Sequence, residues 1–199
     1  MSLNQKIKHD FFANKHQWCI RQMELSDVSY FIDYWFDPDQ RQDHITGGID
    51  FSKLGTAEEM RIAYETGLKR QDTATKRNAM NLVIDCDGEP IGNVVIVDLD
   101  SSEEQHMHAH IWHPKNRRQG IGSAVFFKIF EVIFANFNIV KIVIQPSSQN
   151  HAINALIQKF GIKPVKTFVT QPSQLTRTME VNRYEIDHVV LSQLLPANR

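Results

Sequence analysis

The chain has 199 residues, enough for one domain with a substantial buried core. Its 22 basic and 23 acidic residues leave a formal charge of −1, so no global field would gather nucleic acid or an anionic membrane. Cys19 and Cys86 lie far apart in no motif, and neither a signal-like start nor a spanning apolar run is present, so a cytoplasmic protein is expected.

In chain order, residues 1–16 are polar and mixed. They read as an N-terminal arm, loose or a short helix, ahead of a single domain over 17–199. "QWCIRQM" reads as the first strand. In "LSDVSYFIDYWF", Ser26 is the cap, and Val28, Phe31, Ile32 and Trp35 recur at helical spacing. The Gly- and Asp-rich stretch 37–55 is predicted as a loop of the kind that shapes binding sites. Thr56 and Glu59 form a capping box that opens a helix near 57–69. "MNLVIDCDGEPIGNVVIVDLD" gives two strands about an Asp87-Gly88 turn, and "EQHMHAHIW" alternates as a third.

The segment from Ser123 to Asn138 is apolar on most sides and predicts a helix packed on a sheet. "IVKIVI" reads as a central strand, and "NHAINALIQKFG" as a short helix closed by Gly161. "PVKTFVT" and "EIDHVVLSQLL" supply the last strands, separated by a polar loop at 171–178. The order β-α-α-β-β-β-α-β-α-β-β predicts an α/β (α+β) domain, one mixed sheet with helices on both faces. The phenylalanines at 126, 127, 130, 134 and 137 are expected in the core beneath that sheet.

The chemistry concentrates in "HPKNRRQGIGSAVFF", residues 113–127. A helix start offers unpaired N–H groups and partial positive charge, and so suits an anion. Gly120 and Gly122 let the backbone curl until successive amides aim at one point, with Lys115, Arg117 and Arg118 alongside. Neither the dinucleotide fingerprint nor a P-loop is present. Physics alone supports a phosphate-bearing ligand, against the plainer alternative of an ordinary strand-to-helix turn.

Arg117-x-x-Gly120-x-Gly122, followed by "KIVIQPSSQNHAINALIQKFGI" with Asn150-x-Ala152 and Phe160-Gly161-Ile162, resembles the GNAT superfamily of acetyl-CoA-dependent N-acetyltransferases. The resemblance runs over roughly 17–195, is strongest over 105–163, and lies nearest the ribosomal-protein alanine N-acetyltransferase type. It implies a mostly antiparallel sheet and acetyl-CoA as cosubstrate, with no metal. The backbones of His110, Ile111 and Trp112 would pair with the pantetheine arm, as an added strand pairs with a sheet edge. The amides of Arg118, Gln119, Gly120, Ile121, Gly122 and Ser123 would hold the pyrophosphate, with Arg117 beside them. Asn150 would hydrogen-bond the pantetheine–thioester region. The implied acceptor is a primary amine, on a protein N-terminus or a small molecule, and the implied assembly a monomer or homodimer.

Three positions depart from the family's pattern. Gln145 and Met107 stand where relatives carry a glutamate, and Ile157 where many carry a tyrosine. None can exchange a proton in the required way. The histidines at 106, 108 and 110 share one strand face and offer replacements, His110 first and His108 behind it. The alternative is that they only fill a half-buried face. A zinc site on this His-x-His face lacks an identifiable third ligand, so no metal is expected. The rival function is a catalytically silent acyl-CoA-binding sensor or interaction protein of the same fold.

Overall fold

A computed structural model describes residues 6–71, 78–101, 104–117 and 119–194. Strands run over Lys8–Ala13 (β1), His16–Gln22 (β2), Ala79–Cys86 (β3), Glu89–Val97 (β4), Gln105–Ile111 (β5), Lys141–Ile144 (β6), Lys166–Thr170 (β7) and Met179–Asp187 (β8). Helices run over Val28–Phe36 (α1), Arg41–Thr46 (α2), Ala57–Gln71 (α3), Ile121–Asn136 (α4), His151–Lys159 (α5) and His188–Leu194 (α6). The strands form one sheet in the order β1-β2-β3-β4-β5-β6-β8-β7. Among the described residues only β5 and β6 pair in parallel; the other neighbours are antiparallel, as the resemblance implied.

Both sheet faces are covered, and side-chain alternation along β3 shows it. Leu82 and Ile84 join a cluster with Ile96, Met107, Phe126, Phe130 and Ile142 under α4 and α5. Val83, between them, joins Phe31, Trp35, Met60, Leu68 and Trp112 under α1 and α3. Phe126 and Phe130 are buried, and Phe127, Phe134 and Phe137 pack partly buried against them, so the phenylalanine set is core as expected. Arg21 fastens α1 to the sheet, since its guanidinium donates to both carboxylate oxygens of Asp27 (2.7 and 2.9 Å) and of Asp85 (2.7 and 3.1 Å).

Three expectations need correction. The described part of the N-terminal arm is not loose: Lys8–Ala13 pairs with β2 from Lys8↔Arg21 to Ala13↔His16, inside the same sheet. Its turn uses Asn14 and Lys15 at φ 50° and 68°, a left-handed pair without the glycine that marks most such hairpins. The second correction is at the C-terminal end, where "EIDHVVLSQLL" is half strand and half helix. Asp187 ends β8, and its Oδ1 accepts the Val190 N–H at 2.8 Å to start α6. Finally, the stretch 37–55 is not a plain loop, because it contains α2 and short 3-10 turns at Pro38–Gln40 and Phe51–Lys53.

Candidate active site

The sheet opens between β5 and β6. These strands pair only at Gln105↔Ile142 and His106↔Val143. Beyond that, β5 stays with β4, and the Trp112 N–H donates to the Ile91 carbonyl at 2.9 Å. The chain leaving β6 instead stays with β8, through Asn182 N–H to Pro146 O at 3.0 Å and Ser148 N–H to Glu180 O at 2.9 Å. The strands therefore part into a wedge whose inner β5 edge has no strand partner among the described residues.

Antiparallel alternation sets which groups face the wedge. With Trp112 bonded to β4, the amide groups of His108 and His110 also point to β4, and those of Met107, Ala109 and Ile111 point away. A Cβ on Gly92 would lie 2.3 Å from the His110 carbonyl, which confirms that direction. Of His110, Ile111 and Trp112, only Ile111 presents its backbone to the wedge. Ala109, exposed on β5, also presents its backbone to the wedge, which side-chain pattern alone did not reveal.

The turn after β5 runs through a 3-10 segment at Pro114–Asn116 into α4. Gly120 is the α4 N-cap at φ 79°, the left-handed region that glycine enters without steric cost. A Cβ there would meet nothing within 4 Å among the described residues, so they leave the space above the turn open. Gln119, Ile121, Gly122 and Ser123 surround that open helix start, where the N–H groups of the first turn have no partner within the helix. Gly122 serves differently: a Cβ there would approach Leu156 Cδ2 to 2.8 Å, so its bareness lets α4 sit close on α5.

The charges beside the turn are rearranged relative to expectation. Arg117 bonds the Asp43 carboxylate, Gln40 Oε1 at 2.6 Å and the Ile111 carbonyl at 3.1 and 3.3 Å. Its guanidinium thus joins the wedge edge to α2 and the turn before it, and is not aimed at the open helix start. Arg118 lies outside the described residues. Lys159, unnoticed in sequence, brings its ammonium to 3.3 Å from Ser123 Oγ at the start of α4.

The histidines share one face of β5 as predicted, the face beneath α1. His110 Nδ1 lies 3.0 Å from the Tyr34 hydroxyl, and its ring packs 5.3 Å from that of Trp35. His44 stacks on Trp35 at 5.1 Å and donates from Nε2 to the Tyr34 carbonyl at 2.9 Å. Burial pushes the His110 imidazole down to about 3, helped by the neighbouring His108, His44 and Arg117. Burial also lowers His108 and His44 and raises the Tyr34 phenol, so the whole cluster is neutral at pH 7. His106 is drawn to the far end, 3.0 Å from Asp98.

Asn150 caps α5, its Oδ1 accepting from Ile153 N–H at 3.4 Å. One turn on, buried Asn154 binds both sides of the wedge's outer wall. Its Nδ2 donates to the carbonyls of Ser147 (2.9 Å) and Asn150 (2.8 Å), and its Oδ1 accepts from Tyr184 (2.8 Å) and Asn182 (2.9 Å). Met107 and Ile157 are buried in the core beneath α4, and Gln145 is half-buried just past β6. Tyr64 packs against Phe31 at 4.1 Å within the α1–α3 core.

On the α1 side, a cleft of about 400 Å³ is bounded by Tyr34, Asp37, Gln40, Arg61 and His113, among others. The stretch 37–55 and the polar loop at 171–178 meet beside it. Asp50 N–H donates to the Leu175 carbonyl at 2.9 Å, and Lys53 Nζ to the Thr176 carbonyl at 2.8 Å.

Fold and site together define a mixed α/β domain whose sheet splits beside a glycine-turned helix start. The acetyltransferase (GNAT) domain family matches residues 17–163, and the chain belongs to that family. No curated protein matches it in sequence. Solved structures share the fold at low identity. RimJ of Mycobacterium smegmatis, in complex with CoA-disulfide, is 12% identical with TM-score 0.74, over 100% of this chain and 98% of that one. RimL, a ribosomal L7/L12 α-N-protein acetyltransferase in complex with coenzyme A, is 16% identical with TM-score 0.68, over 92% and 98%. A spermidine N-acetyltransferase of Vibrio cholerae, in complex with CoA and spermine, is 14% identical with TM-score 0.69, over 88% and 98%. Among the described residues no helix is long and apolar enough to cross a membrane.

Proposed function

We propose that the chain transfers an acetyl group from acetyl-CoA to a primary amine, on a protein N-terminus or a small molecule, in the cytoplasm. The observation that carries this is the wedge, whose unpaired edge leads directly to the open start of α4. Coenzyme A is an amide-bearing arm joined to a diphosphate, and the two features match its two halves. Ala109 and Ile111 would pair with the arm. The amides of Gln119, Gly120, Ile121, Gly122 and Ser123 would hold the diphosphate, with Lys159 adding charge. Asn150 would bind near the thioester. Acetyl-CoA supplies the activated acetyl group; the chain's own task is to orient it and handle one proton.

His110 remains the first candidate to receive that proton, with His108 behind it. An imidazole depressed to about 3 keeps its lone pair at every physiological pH but is a weak base. It suits an acceptor that is already largely neutral. An α-amine near about 8 meets that condition better than a lysine-type amine near about 10.4. The ionised Asp37, held low by the Asp39 backbone N–H, gives the proposed acceptor cleft an anionic wall that would draw in the ammonium form of an amine, which must shed its proton before transfer.

The silent acyl-CoA-binding reading draws on the burial of Met107 and Ile157, which leaves two of the three departing positions inside the core, and on the half-buried Gln145 at the third, which cannot act as a base. Thiol release from acetyl-CoA, measured against a panel of N-terminal peptides and small amines, separates the two readings. Turnover on any α-amine with saturable kinetics supports transfer. Tight acetyl-CoA binding without turnover across the whole panel establishes the silent binder.

A further inference from the structure

Away from the wedge, with β4 standing between, two hairpin turns lie side by side at one end of the sheet. The first, at Asn14-Lys15, delivers His16 at the start of β2; the second, at Asp87-Gly88, follows Cys86 at the end of β3. Register pairs Trp18 with Cys86, so the two turns are held in contact by the ladder itself. His16 and Asp87 are 71 positions apart in sequence, yet His16 Nδ1 lies 2.6 Å from Asp87 Oδ2. Cys86 Sγ lies 4.0 Å from the same oxygen, and ligand atoms of all three residues fall within 4.8 Å of one another.

The set is also anchored. Asp87 Oδ1 accepts the Gln17 N–H at 2.9 Å, and the Asp87 N–H donates to the Gln17 carbonyl at 2.7 Å, fixing the carboxylate on its turn. The His16 ring sits edge-on to Trp18 at 6.1 Å, and Trp18 is locked by its indole N–H to the Ala13 carbonyl at 2.9 Å. Both cysteines are free thiols, and Cys86 is the partly exposed one.

We propose that His16, Cys86 and Asp87 form a binding site for a zinc-class divalent cation. One imidazole nitrogen, one thiolate sulfur and one carboxylate oxygen are a borderline-soft set, the donors zinc and cobalt take. Ligand atoms around a tetrahedral zinc stand roughly 3.3–3.8 Å apart, given bonds of about 2.0–2.3 Å. The observed spacings bracket that range, so small rotations of His16 and Cys86 complete the site. His16 and Asp87 are 51% and 55% exposed, which leaves the fourth position to water. Because the ion would bridge the β1–β2 and β3–β4 hairpins, it clamps an edge of the sheet that the wedge does not use.

The test uses the full chain, reduced and stripped with chelator, then titrated with Co²⁺ and with Zn²⁺. One equivalent of Co²⁺ is expected to give a thiolate-to-cobalt charge-transfer band in the near ultraviolet, displaced by Zn²⁺. C86S should abolish the band and C19S should retain it. H16A and D87N should weaken Zn²⁺ binding by more than about tenfold, the minimum cost of losing even an outer partner. Zn²⁺ should also raise the melting temperature of the unmodified chain and not of C86S. Absence of the band, or binding that C86S and H16A leave unchanged, overturns the proposal. So does binding that follows the β5 histidines instead.

Discussion

Gly120 is where the proposed cofactor site is most exposed to refutation. Its φ of 79° holds the start of α4 in a left-handed turn, and a Cβ there would meet no atom within 4 Å. A substitution is therefore not blocked by crowding; its cost is purely conformational. That cost is about 1–2 kcal/mol for an ordinary L-residue and less for asparagine, which tolerates this region. Two consequences separate. Stability should fall by about that amount in G120A if the turn keeps its shape. If the turn relaxes, the N–H groups no longer converge, and a diphosphate must pull them back before it binds. The apparent Kd then rises by the same free energy, roughly fivefold to thirtyfold for G120A. G120V should lose more because of its β-branch, and G120N should stay within a few fold of the parent. Isothermal titration with acetyl-CoA and with desulfo-CoA reads the effect without needing turnover, and circular dichroism checks the fold. Folded G120A and G120V proteins that bind both ligands within twofold of the parent, with no matching loss of stability in urea, would remove this turn from the site.

The remaining predictions concern protons and packing. Because His110 is neutral throughout the accessible range, kcat/KM should rise with the acceptor's own deprotonation and show no inflection near 6.5. An inflection there that vanishes in H110A would show a conventional histidine base instead. The same depression makes the folded state acid-sensitive. The unfolded imidazole titrates near about 6.5 and the folded one near 3, so its stability contribution is whole above the first value and drains as pH falls toward the second. H110Q, compared with the parent by urea unfolding, should flatten that loss between those pH values. R21M should cost about 3 kcal/mol, the low end for a broken buried pair, since Asp27 and Asp85 keep 4% and 12% exposure. R21K should recover little, because one ammonium cannot grip two carboxylates bidentately; equal stability of R21K and the parent in urea would contradict this. N154A removes four hydrogen bonds from a buried site and should cost about 2–4 kcal/mol, read the same way.

Much of this fold was legible because local chemistry and tertiary role coincide. Gly161 at φ 80° closes α5 as read, and Asp87-Gly88, both left-handed, turns β3 into β4 as read. The same physics explains the failures. The β1–β2 turn uses Asn14-Lys15, whose left-handed geometry has no glycine to announce it, so an edge strand looked like a loose arm. "HVVL" at 188–191 is equally good as strand or helix by apolar pattern, and the Asp187 cap decides it through one hydrogen bond. The backbone directions along β5 were not legible for a different reason. Side-chain pattern gives the faces of a strand, but which amides point to which neighbour depends on pairing parity, visible only once Trp112 is seen bonded to Ile91.

Arg117 shows how far a motif can be right while its parts change roles. In R-x-x-G-x-G the arginine reads naturally as charge for a phosphate, yet here Asp43, Gln40 and the Ile111 carbonyl occupy its guanidinium. The cost of using it this way is small, because a single screened surface cation adds only a few tenths to about 1 kcal/mol to anion binding at a helix start. Several converging backbone N–H groups supply more, and they need a correctly placed turn before they need added charge. Arg117 contributes to that placement. It joins the edge of β5, which faces the proposed pantetheine path, to α2, which leads to the acceptor-side cleft. The residue therefore bridges the two halves of the proposed reaction site, and the proposed diphosphate would be left to the main chain, assisted by Lys159, whose ammonium reaches Ser123 from the neighbouring helix.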